Sequence, residues 1–86
     1  MKYEIIIERS SIKDLQKIPA KDRNNIINAI KQLADNPRPI GAKKLMGRDG
    51  FRIRVGHYRV IYEIEDHICR VLVIDIGHRK NIYKNL

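Results

Sequence analysis

The chain has 86 residues, room for one domain with one modest core, so any chemistry is expected on an open face and not in a large internal cavity. Eighteen Lys and Arg against ten Asp and Glu leave a formal charge of +8, which predicts attraction to polyanions. No apolar run is long enough to cross a bilayer, Glu4, Glu8 and Arg9 interrupt any export signal, and Cys69 alone permits no intrachain disulfide, so a cytoplasmic protein is expected.

From the start of the chain, Tyr3, Ile5 and Ile7 alternate with Lys2, Glu4 and Glu8, the pattern of a half-buried strand. Ser10-Ser11 offers a helix cap, with Asp14 three residues after Ser11 in a capping-box spacing. Ile12, Leu15 and Ile18 then form the stripe of a short helix that Pro19 stops. Between Lys21 and Asp35, Ile26, Ile27, Ile30, Leu33 and Ala34 fall on one face of a second helix. Asn36-Pro37-Arg38-Pro39 ends it and leads through Gly41 into a loop.

All five glycines follow that helix and punctuate a meander. Phe51–Val55 and Tyr58–Ile64 alternate as strands around Gly56-His57, a two-residue turn of type II′, and Ile68–Ile76 reads as an apolar strand covered on both faces. The fold class expected is α+β: a single domain, 1–86, of order β-α-α-β-β-β. Its antiparallel sheet carries two helices on one face, and a short C-terminal helix closes the chain.

The charge is unevenly placed. From Arg38 to Arg59 there are seven basic residues and one acid, Asp49, and the segment from Gly77 onward has Arg79, Lys80 and Lys84 with no acid. A Gly56-His57 turn pairs Val55 with Tyr58, Arg54 with Arg59, Ile53 with Val60 and Arg52 with Ile61, so Arg52, Arg54 and Arg59 share one face. Like charges placed opposite each other destabilise a sheet by a few tenths to about 1 kcal/mol. A fold does not require them, whereas an oxyanion matches their guanidinium forks.

The Lys44-Leu45-Met46-Gly47 approach, the Phe51–Ile64 hairpin and the closing Gly77-His78-Arg79-Lys80-Asn81-Ile82-Tyr83, taken in order, resemble the RelE branch of the RelE/ParE toxin superfamily. The resemblance implies the toxin of a type II toxin–antitoxin pair, a ribosome-dependent messenger-RNA endonuclease that cuts in the ribosomal A site by attack of a ribose 2′-hydroxyl on the adjacent phosphate. It also implies no cofactor and no metal, and three partners: a RelB-like antitoxin, the ribosome and the message. A ParE-like toxin that inhibits DNA gyrase without hydrolysis is the alternative within the same fold.

By position, the resemblance carries catalytic roles to Arg59, Arg79 and Tyr83, and RNA binding is expected of Arg52, Arg54, Lys44, Arg48 and His78. The family's best-known pattern has lysines at the positions of Arg52 and Arg54. Cleavage needs a base for the 2′-hydroxyl, positive charge on the transition state and an acid for the leaving oxygen. Arginine supplies only the second, because its proton is not removable at working pH. Tyr83 is therefore expected to move the proton, with His78 and His57 as alternatives. His57 is otherwise a turn residue, Tyr3, Tyr58 and Tyr62 are expected to pack in the core, and His67 with Cys69 makes no ligand set.

Overall fold

Residues 2–78 are described by the structure, a computed structural model. The first strand, β1 (Glu4–Ile7), forms as its alternation requires, with Ile5 and Ile7 turned inward and Ile6 outward. Glu8 closes the strand by donating its N–H to the Val73 carbonyl at 3.0 Å, and the chain turns there into helix α1 (Arg9–Gln16). That ladder bond moves the helix start ahead of the expected Ser10-Ser11 cap. Glu8 holds the cap position with no side-chain cap bond, and Ser11 lies within the helix, fully buried. Leu15 and Ile18 enter the core as expected, but Ser11, one turn before Leu15, completes their buried stripe, and Ile12, the next residue round the helix, stays 41% exposed.

Pro19 ends the turn and caps helix α2 (Ala20–Gln32); it lacks an N–H, but its carbonyl accepts the Arg23 N–H at 2.8 Å. Ile26, Ile30 and Leu33 bury against the sheet. The sheet continues with β2 (Lys43–Lys44), β3 (Phe51–Val55), β4 (Tyr58–Glu65) and β5 (Arg70–His78), in the order β1-β5-β4-β3-β2.

The expected α+β order holds, with the two-residue β2 added at the edge. Three details of the sheet differ from expectation. It is mixed and not wholly antiparallel, since β1 runs parallel to β5 with Ile5 opposite Val71 and Ile7 opposite Val73. Periodicity fixes which face a strand buries; it does not choose the neighbour. The last strand also starts later than expected, because Asp66–Ile68 forms a 3₁₀ turn that ends at Cys69 with φ +50 before β5 begins. This places His67 in the turn and Cys69 at its left-handed end, so they share no strand face.

Ile53, Val60, Tyr62, Val71, Val73 and Ile76 make the core beneath the helices. Strand β5 was expected to be covered on both faces, yet the helices cover one. On the other face Leu45 and Ile61 form a small cluster with half-buried Ile74. A bulge underlies this arrangement: Ile61 pairs with Asp75 and Tyr62 with Val73, so Ile74 is skipped. The expected C-terminal helix lies outside the described residues.

Candidate nucleic-acid interface

The β3–β4 hairpin has the predicted register: Val55 opposite Tyr58, Arg54 opposite Arg59, Ile53 opposite Val60, Arg52 opposite Ile61. Gly56 adopts φ +61 and His57 a negative φ, which is the type II′ turn, and only glycine enters it at little cost. Period two then divides the hairpin cleanly. Phe51, Ile53, Val55, Tyr58, Val60 and Tyr62 pack toward the helices, and Arg52, Arg54, Arg59 and Ile61 face the other way.

On that face lies a cavity of about 280 Å³ lined by Gly41, Lys43, Arg52, Arg54 and Arg59. Four of those five residues are cationic and none is acidic. Arg59 forms its floor at 3% exposure, whereas Arg54 stands exposed at its rim. Repulsion among these groups opposes the fold, and an oxyanion in the cavity relieves it, accepting hydrogen bonds from guanidinium groups that stay charged at any working pH.

Lys43, expected with Lys44 and Arg48 to touch ribosomal RNA or nothing, lines the cavity, because the short β2 sets it opposite Arg52. Lys44, one residue on, pairs with Phe51 and so lies on the other side of the sheet plane, exposed. Of the residues expected to bind RNA, Arg52 and Arg54 therefore meet Arg59, while Lys44 does not. Only strand register could reveal the exchange, and two residues carry no periodic signal.

Arg48 sits in the exposed loop between β2 and β3, close enough to Asp75 to act on its charge. The Asp75 carboxyl is pushed above its ordinary range, first by burial and then by Asp14, with the Ile76 N–H and Arg48 opposing. His78 ends β5 opposite Tyr58, one rung from the Arg59–Gly77 pair and on the Tyr58 side. Its ring lies 6.2 Å from that of His57 with the planes 10° apart, and Tyr58 meets it edge-on at 5.6 Å. Arg79 and Tyr83 lie outside the described residues.

The loop that leads through Gly41 into β2 is tied down at its start. Tyr62, fully buried, donates its hydroxyl to the Pro37 carbonyl at 2.8 Å. Arg38 pairs with Asp66 through both terminal guanidinium nitrogens, at 3.2 and 2.8 Å, and its guanidinium lies 5.5 Å from the Phe51 ring centre. Tyr3, half-buried and packed against the core as expected, also donates its hydroxyl to the same carboxylate at 2.6 Å. Among the described residues there is no cluster of three or more potential metal ligands, and no helix is long and apolar enough to cross a membrane.

A family model described as the ParE toxin of the type II toxin–antitoxin system parDE matches residues 5–83. The chain is 32% identical over 91 residues to RelE1 of Methanocaldococcus jannaschii, with 99% of each chain covered. To toxin RelE of Mycobacterium tuberculosis it is 31% identical over 84 residues, spanning 95% of this chain and 87% of the relative. The toxin in the solved toxin–antitoxin complex RelBE2 from Mycobacterium tuberculosis matches with a TM-score of 0.80 at 26% identity, over 92% of this chain and 100% of that one.

Proposed function

The chain belongs to the ParE toxin family, on the RelE-like branch of the RelE/ParE superfamily, and from that membership we propose that it is a ribosome-dependent messenger-RNA endonuclease. It acts as the toxin of a type II toxin–antitoxin pair, in the cytoplasm. The observation that carries the reading is the cavity in which Arg54 and Arg59 oppose each other beside Arg52 and Lys43. Such a site holds the scissile phosphate and stabilises the charge that builds on it when the neighbouring 2′-hydroxyl attacks.

Within this reading, Arg59 and Arg79 carry transition-state charge and Tyr83 transfers the proton. Arg52, Arg54 and Lys43 grip the message backbone, and Arg48, Lys44 and His78 extend the contact to RNA beyond the cavity. Arginine at positions 52 and 54 cannot itself serve as the base. The regulatory partner is a RelB-type antitoxin, as in the Mycobacterium tuberculosis complex.

Primer-extension mapping on translating ribosomes tests the assignment. Wild-type protein gives discrete message cuts, and Arg59→Ala with Arg79→Ala abolishes them; cuts that persist in the double variant overturn the residue roles. The ParE name of the matching family favours a second reading, a toxin that inhibits DNA gyrase. In that case induction damages DNA while messages stay intact.

A further inference from the structure

We propose that the tip of the β3–β4 hairpin is a nucleobase clamp, in which His57 and His78 take one unstacked base of the bound RNA between their rings. The inference rests on the RNA-directed reading of the cavity and adds what the cavity cannot supply. Guanidinium and ammonium groups bind phosphate whatever the sequence, so a base must be held by other chemistry. Bases splayed from single-stranded RNA are held by stacking on aromatic rings, histidine included.

The geometry at the tip meets that need. The tight turn at Gly56 puts His57 at the end of the hairpin, and His78, the last residue of β5, comes alongside from the neighbouring strand. Both are exposed. Their rings are 10° from parallel with centres 6.2 Å apart. Two near-parallel imidazoles at a hairpin tip offer their faces to an unstacked base. Tyr58 braces the His78 plane from the side, with its ring at 74°.

The clamp is also within reach of the cavity. His78 pairs with Tyr58 on the rung next to Arg54 and Arg59, a step of about 3.4 Å along the strand. Because side chains alternate, the histidines lie on the Tyr58 side of the hairpin, the face opposite the cavity. RNA whose backbone occupies the cavity therefore brings a neighbouring base to the histidines by passing round the hairpin tip.

The test uses the full chain with a short single-stranded RNA and the same RNA carrying an abasic site at successive positions, read by fluorescence anisotropy. Wild type is expected to lose roughly tenfold in affinity at one abasic position, the scale of one stacked base. His57→Ala and His78→Ala are expected to lose about as much on intact RNA and little further on the abasic one. His57→Phe with His78→Phe, which keeps the rings, retains binding, and thermal melts check that each variant folds. NMR adds an independent readout: upfield shifts of both imidazole ring protons on intact RNA that are absent with the abasic one.

Equal binding of intact and abasic RNA, or equal losses on both in the alanine variants, overturns the clamp. Ribosome cleavage assays separate the two readings. Base-dependent RNA binding without message cutting sinks the endonuclease and leaves the clamp. Cutting that proceeds with base-independent binding does the reverse.

Discussion

Ser11 is fully buried in α1 and its hydroxyl finds no hydrogen-bond partner. A buried unsatisfied polar group costs on the order of 1–3 kcal/mol, and alanine also favours the helix more than serine does. Ser11→Ala is therefore expected to raise stability by about 1 kcal/mol, seen as a higher urea midpoint with an unchanged slope. The sequence suggested a cap for this residue because serine most often occupies one. Its burial depends on where β1 ends, which a contact 65 residues away decides. Tyr62 was easier to read: alternation placed it in the core, although its bond to the Pro37 carbonyl needed the fold.

Among the elements, the 3₁₀ turn joins the start of β1 to the loop after α2 through Tyr3, Asp66 and Arg38. Arg38, and after it Tyr3, hold the Asp66 carboxyl down to about 2 from its ordinary 3.8. A folded-state value below the unfolded one adds stability that is present above the ordinary value and lost as pH falls toward the lowered one. Melting temperatures of wild type and Asp66→Asn should therefore differ at neutral pH and converge between about pH 4 and 2. Since both ends of the ion pair are exposed, the difference should be small and should shrink in high salt. A constant gap across that range would show that the pair does not act through charge. These three residues lie far apart in sequence, and no local pattern announces them.

For the whole molecule, the formal charge of +8 is concentrated where the hairpin and β2 present Lys43, Arg52, Arg54 and Arg59 together. RNA affinity should fall with salt by about 0.7 logarithmic units per phosphate contacted. Arg52→Gln with Arg54→Gln should lower that slope by roughly 1.4, measured by titrating labelled RNA at several salt concentrations. The same change removes the Arg54–Arg59 opposition and should stabilise the free protein by a few tenths to about 1 kcal/mol. Weaker binding joined to higher stability is the signature of residues kept for a ligand at the fold's expense. Loss of both would point to a structural role.

Much of the arginine face was legible before any coordinates. A two-residue turn fixes hairpin register, register fixes which side chains oppose, and alternation fixes the shared face, so local chemistry alone put Arg52, Arg54 and Arg59 together. The helices and the order of elements followed from periodicity in the same way. Only tertiary structure decided that β1 runs parallel to β5, that Lys43 rather than Lys44 joins the cavity, and that His57 meets His78. Each depends on which strand becomes a neighbour, a choice governed by the packing of distant segments and not by any pattern within one of them.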